Sequence, residues 1–159
     1  MELGLGRRSD YAIRATLCLA RWHGDRLVPS REVAQRMDIP PRFLYQIMAA
    51  LVRAGIVAST PGRSGGYALA ADPVSVSVLD VVEAVEGEIR ASVCLLRGGP
   101  CHWQGACAMH EQWTAAQQAL LDDLARIDLA SVAARDAGLE AAARLTAAAE
   151  SQAGTSGSE

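Results

Sequence analysis

Cys94, Cys101 and Cys107 stand within a fourteen-residue stretch, with six and five residues between successive cysteines. Gly98, Gly99, Pro100 and Gly105 lie among them and supply the sharp turns that let a loop fold its thiolates inward. A polar, glycine-rich loop has no apolar interior in which to hide three thiols, so the trio points to chemistry. Cysteines paired at two-residue spacing would suggest structural zinc. This wider, glycine-punctuated trio is nearer to what a bulkier iron–sulfur cluster requires, of the 2Fe–2S or 4Fe–4S type. Three thiolates are one ligand short. His110 follows Cys107 by three residues at the start of a helical pattern, so both can face the same way; His102, next to Cys101, is the poorer geometric candidate. A reversible thiol switch or a zinc-stabilised interaction module is the alternative reading of the same loop. Cys18 lies apart in an apolar stretch and reads as a small core residue.

The elements that must position this loop begin with a strongly divided charge. The chain of 159 residues carries a net −3, yet residues 1–70 hold ten Arg against five acids and residues 71–159 hold five Arg against thirteen. A basic half beside an acidic half is the electrostatic footprint of nucleic-acid binding. Within the basic half, Tyr11, Ile13, Ala15, Leu17, Cys18 and Leu19 predict a helix from Asp10 to about Trp22, capped by Ser9 or Asp10. Ser30 as N-cap, with Val33, Ala34 and Met37, predicts a short second helix ending near Asp38. Pro41 suits the first turn of a third, whose apolar face is Leu44, Ile47, Met48, Leu51 and Val52. Arg42, Tyr45 and Gln46 are left off that face, as in the recognition helix of a helix-turn-helix. Ile56-Val57-Ala58 and Tyr67-Ala68-Leu69, joined through Pro61-Gly62-Arg63-Ser64-Gly65-Gly66, predict a β-hairpin wing. Arg42, Tyr45, Gln46, Arg63 and Ser64 are therefore the candidate DNA-contacting residues.

Beyond Pro73 the valines 78, 81, 82 and 85 predict a short helix ending at Gly87. Met109, Trp113, Ala116, Leu120, Leu124 and Ile127 then recur at three- and four-residue steps over a longer helix from about Ala108 to Ile127. An apolar stripe this long, outside a small domain, needs a partner surface; its own copy is the simplest, since reading two half-sites calls for two-fold symmetry, and packing back onto its own domain is the alternative. The expected fold is mainly α with a small β-hairpin: a winged helix-turn-helix domain over 1–87, a cysteine-rich cluster loop over 88–108, a dimerisation helix and following turn over 109–135, and a helical or disordered tail over 136–159. Arg7, Arg8, Asp10 and Arg14 interrupt the first residues before a signal peptide could form, and no run approaches the roughly 18 apolar residues of a membrane span; the expected compartment is the cytoplasm. There, clustered cysteines are more at home as metal ligands or redox groups than as disulfides. Enzymatic function has little support. No nucleophile-elbow pattern occurs, and the glycine-rich segment lies between strands instead of opening a helix, so it is no phosphate loop.

Four features together carry a family resemblance: Ser9-Asp10-Tyr11-Ala12-Ile13-Arg14, Gly62-Arg63-Ser64-Gly65-Gly66-Tyr67, Leu79-Asp80-Val81-Val82 and the three-cysteine loop. To about residue 135 the chain resembles the winged-helix iron–sulfur transcription regulators that include IscR, NsrR and RirA. The resemblance implies a homodimer that binds palindromic double-stranded operator DNA as a repressor, with a cluster close enough to the DNA-binding domain for its gain, loss or damage to change operator affinity. Iron status, nitric oxide or redox state would then be the signal. Cys94, Cys101 and Cys107 match the family's thiolate ligands. For the fourth, His110 matches the IscR-type histidine, and Asp10 falls where NsrR-type proteins use an aspartate of the partner subunit; both remain open. Three departures stand out: Pro61 where the family wing commonly has Arg, a different residue set at Arg42, Tyr45 and Gln46, and a cysteine spacing one longer than the IscR pattern.

Overall fold

The computed structural model describes residues 6–89, 94, 102–103 and 107–137. Cys101, the glycines and proline of the cysteine loop and the tail beyond 137 lie outside the described residues. Helix α1 spans Arg7–Arg21, α2 Ser30–Arg36 and α3 Pro41–Arg53; strands β1 (Val57–Thr60) and β2 (Gly66–Leu69) form one antiparallel hairpin; α4 spans Val78–Glu86 and α5 His110–Arg126. A further helical stretch covers 129–137. The mainly helical architecture with one small hairpin is the expected one.

Apolar residues at helical spacing explain how the first four helices meet. Ala12, Ala15 and Leu19 of α1, Ile47, Met48 and Leu51 of α3, and Val81 and Val85 of α4 are buried together in one core. Cys18 belongs to it, 1% exposed, and burial pushes its thiol pKa up, as expected of a small core residue. Val52, placed on the apolar face of α3 from spacing, instead points outward. Between α2 and α3 the chain turns tightly through Asp38, whose φ of 50° lies in the left-handed region that Asp tolerates better than most residues. Pro41 opens α3 at its first turn, where a missing N–H costs nothing.

Two helix starts differ from the sequence expectation. Helix α1 begins at Arg7, three residues before Asp10, with Gly6 in the N-cap position and no side-chain cap. Ser9 is therefore inside the helix, buried, and its hydroxyl donates to Glu86 Oε1 at 2.9 Å. Asp10 is in the first turn and accepts from Arg14 Nε at 2.9 Å. Likewise Ser30 is the first residue of α2, and Pro29 holds its N-cap position. Side-chain capping appears instead at α4, where the Ser77 hydroxyl accepts from the Asp80 N–H at 3.1 Å and Asp80 Oδ2 accepts from the Ser77 N–H at 2.8 Å, a reciprocal capping box.

The hairpin pairs Val57 with Leu69 and Thr60 with Gly66, so β1 lies one to two residues beyond the Ile56–Ala58 expectation and Ile56 is a buried residue before it. Val28 exchanges two hydrogen bonds of 2.9 Å with Tyr67, fastening the wing to the α1–α2 connection. Glycine is required at that seam. A Cβ on Gly66 would stand 2.6 Å from the Val28 carbonyl oxygen, and one on Gly65 would stand 2.1 Å from that of Thr60.

The segment after α5 is not a turn. Asp128 bridges to Ser77, Leu129 N–H donates to the Val76 carbonyl at 2.9 Å, and Leu129 and Ala133 enter the core of the winged helix. Helix α5 meets α4 and leaves Trp113 and Leu124 half-buried, but no residue along its length is fully buried.

Candidate nucleic-acid interface and metal centre

The outward side of α3 follows from which of its residues the core takes. With Leu44, Ile47, Met48 and Leu51 buried, Arg42, Tyr45 and Gln46 are left exposed on the opposite side, Tyr45 at 74%. Arg42 stacks its guanidinium over Phe43 at 4.8 Å, and Phe43 meets Tyr11 of α1 at 5.8 Å, so the head of α3 is braced against α1. Arg63 and Ser64 are exposed at the tip of the wing. A groove lined by Ser30, Arg31, Gln35, Tyr45 and Tyr67 lies between α2 and α3, and a second, sharing Ser30 and Tyr67, runs to Arg63. Together they bring recognition helix and wing onto one continuous face.

Charge on this face is uncompensated. Among the described residues Arg14, Arg21, Arg26, Arg36 and Arg126 have carboxylate partners, whereas Arg31, Arg42 and Arg63 have none. Unpaired guanidiniums on one face suit phosphate and base-edge contacts. Arg31 and Gln35 were missed in the sequence reading. Their spacing of four on the exposed side of a short basic helix is the signal that could have found them.

At the opposite end of the sequence, Cys107 and His110 are brought together by a turn in which the His110 N–H donates to the Cys107 carbonyl at 3.1 Å, directly before α5. Cys107 is itself tied back, its N–H donating to the Trp103 carbonyl at 2.9 Å. Cys94, Cys107 and His110 are each half-buried. His102 is exposed. Among the described residues no three His, Cys, Asp or Glu side chains converge on one metal position; Cys101 lies outside them. Two thiols and an adjoining imidazole are donors that suit an iron–sulfur cluster in kind. Asp10 is engaged by Arg14 within α1, its side chain 41% exposed. The stem of the cysteine loop is fastened on both sides of Gly87: Glu83 accepts from the Ile89 N–H at 3.0 Å, and Glu86 accepts from Ser9. No helix among the described residues is long and apolar enough to cross a membrane.

Comparison with known proteins agrees with this geometry. The chain is 36% identical over 113 residues to the rrf2-like HTH-type transcriptional regulator of Rhodobacter capsulatus, covering 66% of this chain and 75% of that one. It is 32% identical over 125 residues to the HTH-type transcriptional regulator IscR of Vibrio vulnificus, covering 79% and 74%. Its fold matches the global cysteine regulator CymR of B. subtilis with a TM-score of 0.72 at 25% identity, over 84% of this chain and 98% of that one. Such relatives are DNA-binding regulators and not enzymes. Residues 5–135 match the Rrf2 family, described as an iron-dependent transcriptional regulator, and the chain belongs to that family of winged-helix transcription regulators.

Proposed function

We propose that the chain is a homodimeric repressor of palindromic operator DNA whose affinity depends on an iron–sulfur cluster, 2Fe–2S or 4Fe–4S, held by Cys94, Cys101, Cys107 and His110. Asp10 of the partner subunit is the alternative fourth ligand. The observation that carries the reading is the junction at the head of α5, where a thiol and an imidazole three residues apart open a helix with no buried residue. When bound, a cluster would supply a centre that oxidants, nitric oxide or iron shortage can remove.

The chain's own residues provide the route to DNA. His110 is the first residue of α5, so holding its ring orients the helix. Leu120 and Ile127, 54% and 41% exposed, offer a second copy an apolar surface, and the packing of two α5 helices sets the distance between two α3 helices. Arg42, Tyr45 and Gln46 then face the major groove, Arg63 with Ser64 reaches toward the minor groove, and Arg31 neutralises a phosphate. His110 is favoured over Asp10 because Asp10 would have to release Arg14.

The test is anaerobic purification with iron and sulfide quantification, visible spectroscopy, and affinity for genomic fragments selected by the protein itself. Cys101→Ala should abolish the visible band and change that affinity; retention of both overturns the cluster reading. His110→Ala should shift the spectrum where Asp10→Ala leaves it, and the reverse result assigns the fourth ligand to Asp10. Zinc without sulfide would instead favour the zinc-stabilised module. Arg42→Ala should weaken binding by about 1–3 kcal/mol, and Arg31→Ala should reduce its salt dependence by about one unit of slope.

A further inference from the structure

Away from both the cysteine loop and the DNA-facing side, a cleft of about 700 Å³ opens where the end of α1 meets residues 129–137. That volume lies within the roughly 300–1,000 Å³ usual for small-molecule sites. Its lining is mixed. Cys18 and Trp22 come from α1 and its end, Arg36 from α2, and a face of small residues including Ala130 and Ala134 from the last helical stretch. Alanine is the reason the space exists, since longer side chains along that helix would close it.

Of the two guanidiniums in the lining, Arg21 is paired with Asp136, and Arg36 is the polar anchor. Its Nε donates to Glu32 Oε1 at 2.7 Å, while its two terminal nitrogens have no protein acceptor among the described residues. Its guanidinium lies 5.6 Å from the centre of the Trp22 ring, and Arg26, 4.2 Å from the same ring, binds Glu32 through two hydrogen bonds. Arg36 is thus held in place from one edge with its fork left available. A guanidinium fork presented beside an indole and an alanine face matches one ligand chemistry: a planar anion carried on an apolar body.

We propose that this cleft binds a small carboxylate with an apolar body, the carboxylate on the terminal nitrogens of Arg36 and the body between Trp22 and the alanine face. Such a ligand touches α2, the first helix of the helix-turn-helix, and the segment that returns from α5, so its occupancy links the DNA-binding domain to the arm. The site stands independently of any cluster.

The experiment is titration of the full chain, followed by amide and indole NMR shifts, with sodium hexanoate and sodium benzoate. Hexanamide, benzamide and sodium chloride serve as the neutral and ionic controls. Saturable shifts at Cys18, Trp22 and Ala134 with the carboxylates alone are expected. Arg36→Gln should weaken them about tenfold or more, the value of a hydrogen bond to a charged group. Ala134→Leu, at an exposed position on the cleft wall, should block binding with the unfolding midpoint retained, which separates loss of the site from loss of the fold. Absence of saturable shifts, an equal response to the amides or to chloride, or binding unaffected by Ala134→Leu overturns the proposal.

Discussion

Helix α3 hides Leu44, Ile47, Met48 and Leu51 within its own protomer, whereas α5, with apolar residues at the same three- and four-residue steps, buries none. The chain on either side of α5 is tied more firmly to the core. Glu83 and Glu86 fasten the stem before the cysteine loop, and Leu129, fully buried, returns the chain to the core just after α5 ends. One periodic signal thus has two destinations. In the winged helix it is satisfied by intramolecular packing; in α5, which touches α4 and half-buries Trp113 and Leu124, Leu120 and the following Ile127 remain on the surface, a mark of an interaction site.

Substitutions can break that contrast. Leu51→Ala removes a fully buried side chain and should cost about 2–5 kcal/mol of unfolding free energy, measured by urea denaturation. Leu120→Ala, at a 54% exposed position, should change the stability of a dilute protomer by no more than about 0.5 kcal/mol. Its effect should appear instead as weaker self-association in sedimentation over a range of concentrations. Equal losses of protomer stability for the two variants would mean that Leu120 packs within the protomer after all.

A smaller effect is expected at the seam between the regions. Ser77 caps α4, and its neighbours Val76 and Val78 hydrogen-bond to Leu129 and Ile127. Ser77→Ala should cost about 1 kcal/mol, the usual value of a lost N-cap. It should also raise amide exchange at both α4 and 129–137, whereas exchange confined to α4 would make the seam passive.

The smallest effect concerns pH. The guanidiniums of Arg26 and then Arg36 hold the Glu32 carboxyl at about 2, below its ordinary 4.5. A depressed carboxylate pKa contributes stability above the ordinary value that is lost as pH falls from there toward about 2. Glu32→Gln should flatten this part of the acid limb of the unfolding midpoint, modestly because the pair is solvent-screened. An unchanged acid limb would show that the Arg26–Glu32–Arg36 network adds nothing measurable.

Much of the winged helix was legible because its signals are local. Pro41 at the start of α3, the apolar steps Leu44 to Leu51, and the glycines of the wing each act through backbone geometry or short-range periodicity. Ser9 and Ser30 misled for the same reason: each has the residue type of a cap, but a hydroxyl's partner depends on what surrounds it. For Ser9 that partner is Glu86, seventy-seven positions along the chain. The exposure of Arg42, Tyr45, Gln46, Arg63 and Ser64 was readable as the complement of the apolar face. Their union with Arg31 and Gln35 on one surface was not, since it depends on how α2, α3 and the wing pack.

By itself, the sequence determined the helical character of the chain, the order of its elements and the division of its charge. These follow from residue type and spacing. Only the tertiary structure decided that residues 129–137 fold back onto the core, that Arg36 stands over Trp22 at an open cleft, and that Leu120 and Ile127 stay exposed while Leu44, Ile47 and Leu51 of α3 are buried. Those outcomes depend on contacts between residues far apart in the chain, where burial and hydrogen bonding select one partner among many that local pattern leaves equivalent.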